Sequence, residues 1–211
     1  VDLHAIRFDP VLRDQDTPDW IDDSVPDDVL QRMQVRRSLM EGARNPLRRL
    51  LVKRWIGDRD DREIVRRLHA LGAPRDVAEQ QAKVARAHAL VFIAPVYFVG
   101  FPAILKGWIE RVFSLGFAFG MTAEAWRGEV AGRLPLLKHE KALILQTTIW
   151  NEASYDEAGL KAAMKVLIDE YALRFPGIQR VEHEYFHAVH GADEATRSAW
   201  LERAYRLGRE F

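Results

Sequence analysis

Aromatic and hydroxyl side chains follow two apolar runs of the sequence, where buried strands are predicted to end. Residues 95–100 (PVYFVG) come directly after the run ALVFIA, and residues 147–151 (TTIWN) come after KALILQ. Rings and backbone N–H groups at a strand end suit a flat heterocycle with polar edges, and hydroxyl groups can hydrogen-bond one of those edges. The alternative is that Tyr97 and Phe98 only cover core residues. The first interpretation predicts a small-molecule site at these two strand ends.

A second motif, residues 183–187 (HEYFH), matches the H-E-x-x-H pattern of zinc peptidases. That pattern binds zinc only on a helix, where positions four apart share a face. The surrounding VEHEYFHAV is rich in β-branched and aromatic residues and predicts a strand, on which residues four apart lie about 13 Å from each other. Two ligands of one zinc ion must each lie about 2 Å from it. We therefore predict no metal at His183 and His187.

The elements that position these groups alternate along the chain. Apolar runs predict buried parallel strands at residues 89–94 and 141–148, and residues 178–190 predict a last strand. Helices are predicted at residues 76–88, 103–113, 159–175 and 194–209, with Asp76 and Asp193 as N-caps and Pro102 at the first helical position. Alternating strands and helices predict an α/β fold, a doubly wound parallel sheet with helices on both faces. Ligands of such sheets lie beyond the carboxyl ends of the strands, where both candidate loops fall.

The first third of the chain is less regular. Residues 1–8 (VDLHAIRF) predict a short strand, and residues 9–28, which include Pro10, Pro18 and Pro26, predict an irregular excursion. Residues 29–71 predict helices, and residues 32–67 carry twelve basic against five acidic side chains, whereas residues 1–31 carry two against nine. The opposite charges of these two segments either attract the segments to each other or bind a partner. We interpret residues 30–70 as a basic helical insertion or lid in a single domain of residues 1–211; the alternative is a membrane-surface helix.

Composition excludes several classes of protein. The 31 basic and 31 acidic side chains balance, so no overall basic surface for nucleic acid is expected. Cysteine is absent, which excludes disulfides and thiolate chemistry. The longest uncharged stretch, residues 89–105, is short for a membrane helix and is interrupted by proline and glycine. A cytoplasmic protein without stable membrane insertion is expected.

Residues 94–120 (APVYFVGFPAILKGWIERVFSLGFAFG) carry a resemblance to a known family. This stretch, and above all PAILKGWIERVF with the GFAF that follows, is similar to the signature region of the NAD(P)H:quinone oxidoreductases. The similarity extends in segment order along the chain, and residues 30–70 match least. It implies a flavodoxin-like fold, FMN or FAD as cofactor, NAD(P)H as electron donor and a quinone or similar small aromatic acceptor.

The resemblance also implies roles for particular residues. It implies that one loop lies along the flavin ring, that the threonine loop contacts the pyrimidine edge, that Tyr155 stabilises charge on the reduced ring, and that three further residues line the substrate side. The implied cofactor-binding residues are Pro95, Val96, Tyr97, Phe98, Val99, Thr147, Thr148, Ile149 and Trp150, and the implied substrate-binding residues are Phe119, Met121 and Trp126. Six residues after Tyr155, relatives carry histidine where this chain has Lys161. A lysine supplies positive charge near a reduced ring, or it only faces solvent.

Two features depart from the family pattern. Family members have a Gly-Gly pair after the threonines, where this chain has Ile149 and Trp150. Family members also begin with a strand and a loop that holds the flavin phosphate, whereas the first predicted strand here matches their second. We therefore expect about 35–45 residues before Val1, the length of one strand-plus-helix unit.

Two other classes of function stay open beside the reductase. One is a flavin-free family member that acts as a regulatory or binding subunit. The other is a repurposed enzyme that binds an aromatic metabolite at the site where relatives bind flavin. A homodimer with the site at the subunit boundary is expected, since the apolar stripe of residues 103–113 and Phe117, Phe119 and Trp126 predict much exposed aromatic surface.

Overall fold

The computed structural model describes residues 1–13, 16 and 21–211. The α-helices are α1 (Asp27–Met33), α2 (Val35–Gly42), α3 (Pro46–Ile56), α4 (Asp61–His69), α5 (Arg75–Arg86), α6 (Ala103–Val112), α7 (Ala123–Trp126), α8 (Glu152–Glu157), α9 (Leu160–Met164) and α10 (Glu194–Glu210). A π-helix (Lys165–Arg174) continues α9. The strands are β1 (Ala89–Pro95), β2 (Phe119–Met121), β3 (Arg133–Pro135), β4 (Lys141–Thr147) and β5 (Arg180–Phe186).

A parallel sheet of β1, β4 and β5, in the order β1-β4-β5, forms the centre of the described chain. Alternate residues of β4 belong to different apolar clusters. Ile144 packs in the cluster formed with α5, α6, α9 and the π-helix, whereas Leu143 and Leu145 pack against α10. The predicted α/β fold with helices on both faces is confirmed, as are the three predicted strands, although β5 is shorter than residues 178–190.

β1 forms one edge of this sheet. Val91 and Ile93, which α10 does not cover, are 49% and 74% exposed. A mostly apolar cavity of about 630 Å³ runs beside the strand, between residues 1–4, α5 and α6, and reaches Tyr97. The expectation of a further strand-and-helix unit before Val1 stays a prediction.

The predicted strand at residues 1–8 is wrong. Residues 3–7 form turns, because the Asp2 carboxylate accepts hydrogen bonds from the backbone N–H groups of His4 and Ala5. Arg7 lies in the left-handed region at φ +51°, which ends any extended conformation. A short acidic side chain that bonds nearby amides favours a turn over a strand.

Charge complementarity joins the acidic and basic segments, as one of the two interpretations predicted. Arg62 contacts Asp27 at 2.5 Å, and Arg66 contacts Asp23 at 2.9 Å. The helices α1–α4 pack around an apolar cluster of their own that includes Ile56, Ile64 and Val65. The predicted excursion at residues 9–28 includes Pro18, which lies outside the described residues.

The apolar stripe of α6 packs inside the chain, so the exposed aromatic surface expected from it is not observed. Trp108, Val112 and Phe113 are buried in the main cluster. Two smaller expectations are also corrected: Pro102 is the N-cap of α6, and Pro74, not Asp76, is the N-cap of α5. The homodimer itself stays a prediction.

Gly107 of α6 lies where the backbone of residue 10 crosses the helix. A Cβ atom at this position would overlap the carbonyl oxygen and Cβ of Pro10. Gly107→Ala is therefore expected to destabilise the protein by about 1–3 kcal/mol, despite the better helix propensity of alanine. Urea unfolding tests this, with Gly42→Ala as the control because no atom lies near a Cβ there. An equal effect of both substitutions would contradict the packing argument.

Helices in the described ranges are too short or too polar to cross a bilayer.

Candidate functional site at the carboxyl ends of the strands

The three parallel strands end side by side and place both candidate loops at one edge of the sheet. Pro95 pairs with Thr147, and Thr147 pairs with Phe186. The Val96 N–H donates to the Thr147 carbonyl at 2.9 Å, and the Thr148 N–H donates to the Phe186 carbonyl at 2.9 Å. These bonds continue the pairing of β1 with β4 and of β4 with β5 by one residue. The loops that follow β1 and β4 therefore lie side by side.

The loop after β1 presents aromatic rings on a strained backbone. Tyr97 is 61% exposed, and Phe98 is fully exposed. Phe98 and Val99 have φ values of +46° and +60°, and the Tyr97 N–H closes the turn by donating to the Gly100 carbonyl at 3.1 Å. A β-branched residue with positive φ costs about 1–3 kcal/mol, and such strain occurs at ligand clamps. Within the described chain, the N–H groups of Phe98 and Val99 donate no hydrogen bond.

The loop after β4 presents a second exposed aromatic ring. The Thr148 hydroxyl donates to the Trp150 carbonyl at 2.8 Å, and Asn151 caps α8 by accepting from the Ser154 N–H at 2.9 Å. These bonds fix the loop and leave Ile149 and Trp150 each 56% exposed.

Tyr155 of α8 lies behind this loop. Its ring packs against Trp150 with 6.1 Å between centroids, and the residue is only 3% exposed. Burial raises the pKa of the Tyr155 hydroxyl. No described residue forms a hydrogen bond to that hydroxyl, so it stays a neutral group with an unused donor.

Lys161 is held by acidic residues of α8. Its ammonium group lies 2.8 Å from Glu152 and 3.7 Å from Asp156. The hydrogen bond to Glu152 raises the pKa of Lys161. Lys161 therefore stays protonated near neutral pH, and its charge is shared with two carboxylates.

A column of three aromatic side chains lies on one face of β5, and sequence reasoning missed it. The His183 and Tyr185 rings stack at 4.1 Å, and the Tyr185 and His187 rings stack at 5.7 Å. Burial, with a contribution from the Asp169 carboxylate, strongly raises the pKa of Tyr185. The sequence HEYFH could have predicted this column, because it has a ring at every second position and alternate residues of a strand share a face.

Both ring nitrogens of His183 face oxygen atoms. Nδ1 lies 2.8 Å from Asp169 Oδ1, and Nε2 lies 2.8 Å from Gln146 Oε1. The Gln146 amide nitrogen donates to the Pro95 carbonyl at 3.4 Å, which keeps the amide oxygen toward His183. The Tyr185 hydroxyl also lies 3.1 Å from His183 Nδ1, so three polar groups hold the orientation of this ring.

The zinc-peptidase pattern lies on β5 and the residue after it, as the sequence predicted, and not on a helix. In the described parts of the chain, no three His, Asp or Glu side chains are grouped as metal ligands. The absence of zinc stays a prediction.

The three residues expected on the substrate side belong to other elements than the strand-end loops. Phe119 and Met121 belong to β2, which pairs with β3, and the Arg133 guanidinium lies 4.5 Å from the Phe119 ring. The Trp126 indole N–H donates to Ser24 Oγ at 3.0 Å, and its ring packs against the helical cluster of α1–α4. Their role in a substrate pocket stays a prediction.

The groups at the strand ends fit the ring of a flavin. Such a ring is flat and apolar on its faces, and it carries donors and acceptors along its edges. Exposed Tyr97, Phe98 and Trp150 match the faces. The unused N–H groups of Phe98 and Val99, and the free hydroxyl of Tyr155, match the edges.

Comparison with known proteins supports this fold. A family model described as flavodoxin-like fold matches residues 1–207. The chain belongs to this family. The NAD(P)H:quinone oxidoreductase from Methanothermobacter marburgensis superposes with a TM-score of 0.58 at 22% identity, covering 95% of this chain and 93% of that one. Smu.1420 from Streptococcus mutans superposes with a TM-score of 0.61 at 20% identity, covering 100% of this chain and 81% of that one. At these identities the two structures share the fold alone.

Curated relatives carry oxidoreductase names. An uncharacterized NAD(P)H oxidoreductase from Haemophilus influenzae is 31% identical over 131 residues, which is 62% of this chain and 61% of that protein. NAD(P)H dehydrogenase [quinone] 1 from Cavia porcellus is 26% identical over 191 residues, which is 89% of this chain and 56% of that protein. The chain thus spans less than two thirds of the length of both relatives.

Proposed function

We propose that this chain is the ring-binding part of a flavin-dependent NAD(P)H oxidoreductase that reduces quinones or similar aromatic acceptors. The observation that carries the proposal is the pair of adjoining strand-end loops, both with exposed rings and the first with unused N–H groups. The names of the curated relatives support the same class of reaction. A bound flavin would supply transfer of a hydride from NAD(P)H to the acceptor.

In this proposal, the loop of residues 95–99 holds one part of the ring, and residues 147–150 hold its pyrimidine edge. Tyr97, Phe98 and Trp150 exclude water and stack on aromatic ligands, because their rings are exposed on two neighbouring loops. The N–H groups of Phe98 and Val99 donate to ring heteroatoms. The Tyr155 hydroxyl, which keeps its proton because burial raises its pKa, donates a hydrogen bond.

Steady-state kinetics test the proposal. The purified protein is assayed for oxidation of NADH and of NADPH with a benzoquinone as acceptor, with and without added FMN or FAD. We expect turnover that depends on both the flavin and the quinone. A flavin-free regulatory subunit would give no turnover and no bound flavin. An enzyme for another aromatic metabolite would bind aromatic ligands but would not oxidise NAD(P)H.

Trp150→Ala tests the role of the second loop. Loss of one stacked ring costs about 0.5–1.5 kcal/mol, so FMN is expected to bind about 2- to 10-fold more weakly. Tyr205→Ala is the matched control, because Tyr205 is an aromatic residue of α10 with 64% exposure. Quenching of flavin fluorescence measures both affinities. Equal affinities of the two variants would contradict the placement of the ring beside Trp150.

A further inference from the structure

The helix α3 turns three leucines toward solvent. Leu47, Leu50 and Leu51 are 68%, 63% and 58% exposed. Their spacings of three and four residues place them on one face of the helix, and Arg54 continues that face by one turn. We call these four residues the outer face of α3. A single exposed leucine is ordinary on a protein surface, but a contiguous apolar patch marks an interaction site.

The opposite side of α3 accounts for its packing. Val52, Trp55 and Ile56 pack on the apolar cluster of α1–α4, and Ile56 is fully buried there. The helix therefore needs only its inner side to be held in place. The leucines of the outer face add nothing to that packing, so folding alone does not explain them.

The cations around the outer face are also without partners. Residues 44–54 contain five basic side chains and no acidic one. Four of these cations are exposed and form no ion pair with a described residue: Arg44, Arg49, Lys53 and Arg54. In the neighbouring helices the exposed arginines are paired with carboxylates, as in Arg32–Asp28, Arg37–Glu41 and Arg66–Asp23. The positive charge of α3 is thus left for an anionic partner.

Exposed leucines flanked by unpaired cations match the surface of a bilayer. Leucine side chains enter the boundary between headgroups and acyl chains, and lysine and arginine attract anionic headgroups. The long stems of Arg49, Lys53 and Arg54 can lie along apolar surface while their charged ends reach the phosphates. Nucleic acid would match the cations but would leave the leucines in water. A protein partner is less well matched, since binding hot spots favour aromatic rings over leucine and Trp55 faces inward.

We propose that α3 docks this protein on membranes that contain anionic phospholipid. The helix lies along the membrane surface, with the outer face in the headgroup region and the inner side on the rest of the protein. Its 11 residues are far fewer than the roughly 20 that a membrane span requires, so docking is peripheral and reversible. This proposal does not depend on the proposed reductase function.

Vesicle sedimentation is the first test. The purified protein is mixed with vesicles of phosphatidylcholine alone, or of an equal mixture of phosphatidylcholine and phosphatidylglycerol, and the bound fraction is measured. We expect binding to the mixed vesicles that weakens as salt is added, because salt screens exposed charges. Binding to phosphatidylcholine alone is expected to be much weaker.

Substitutions on α3 separate the two contributions. Arg49→Gln together with Lys53→Gln is expected to weaken binding to the mixed vesicles by about 10- to 30-fold, because each cation near an anionic surface contributes separately. Leu47→Gln together with Leu50→Gln is expected to weaken it by at least about 10-fold, because apolar area no longer enters the bilayer.

Matched controls lie on other helices. Leu167→Gln with Leu201→Gln removes two exposed leucines from the π-helix and α10, and Arg197→Gln with Arg206→Gln removes two exposed cations from α10. Both control pairs are expected to bind the mixed vesicles as the wild type does. Losses as large as those of the α3 variants would show that total charge or total apolar surface, and not α3, decides binding.

A single fluorescent label locates the contact. The chain has no cysteine, so Leu50→Cys carries one polarity-sensitive dye, and Leu201→Cys carries the same dye on α10 as the control. On addition of mixed vesicles, the emission at position 50 is expected to shift to shorter wavelength, and the emission at position 201 is expected to stay unchanged. Equal shifts at both positions, or none at position 50, would overturn the proposal.

The remaining outcomes are equally decisive. A wild-type protein that does not bind the mixed vesicles overturns the proposal. So does an outer face that joins two copies of the chain, which light scattering without lipid would show as an assembly that the leucine substitutions dissociate. Vesicle binding by a protein that never oxidises NAD(P)H would confirm the docking helix and contradict only the reductase function.

Discussion

Replacing Arg111 with alanine is expected to lower the free energy of unfolding by about 3–5 kcal/mol, because it leaves a buried carboxylate without its partner. The Arg111 side chain is fully buried and lies 3.0 Å from Asp16, which is 2% exposed, and 2.6 Å from Asp76. It also donates to the Asp9 carbonyl at 2.7 Å. Burial alone would lower the pKa of Arg111, but the hydrogen bonds to Asp76 and Asp16 outweigh it and raise the pKa.

Guanidinium unfolding of the flavin-free protein measures this loss. Arg75→Ala is the matched control, since Arg75 is 93% exposed and pairs with Glu79 on the surface of α5. Such a surface pair contributes at most about 1 kcal/mol. Equal losses for the two arginines would show that the buried network does not hold Asp9 and Asp16 against α6.

Asp169→Ala is expected to destabilise the protein by about 1–3 kcal/mol, because it removes the carboxylate that contacts the buried His183 ring at 2.8 Å. The His183 and Asp169 side chains are 5% and 9% exposed. The π-helix supplies Asp169, and π-helical turns are frequent at functional sites. Loss of the pair is also expected to loosen the stacked column that ends at His187.

Asp169→Asn is the control for this second substitution. The amide oxygen still accepts from His183 Nδ1, so the control loses the charge but keeps the hydrogen bond and is expected to lose less stability. Urea unfolding measures both variants. A larger loss for asparagine than for alanine would contradict a stabilising hydrogen bond between Asp169 and His183.

The sequence predicted two strands of the sheet well because β1 and β4 are continuous apolar runs. The runs around Phe92 and Ile144 have no competing pattern, and both lie in the observed parallel sheet. Local polar side chains decided the errors. Asp2 bonds the amides that follow it and makes a turn, and Asp76 binds Arg111 rather than capping α5. Neither choice is visible in a pattern of apolar residues.

The candidate site was predictable in part. Tyr97, Phe98 and Trp150 follow predicted strands, so their position at one edge of the sheet follows from parallel topology. The contact of His187 Nδ1 with Thr148 Oγ1 joins residues 39 positions apart, and the contact of His183 with Asp169 joins residues fourteen positions apart. Such partners are set by tertiary packing, and sequence spacing does not reveal them.

Anaerobic titration tests the central claim most directly. The protein is incubated with FMN or FAD, freed of unbound cofactor, and titrated with NADH or NADPH while the visible absorbance of the flavin is followed. The account predicts a retained flavin that is bleached by one equivalent of the nicotinamide and regains its absorbance when one equivalent of a benzoquinone is added. A protein that retains no flavin, or whose bound flavin keeps its absorbance with both nicotinamides, would contradict it.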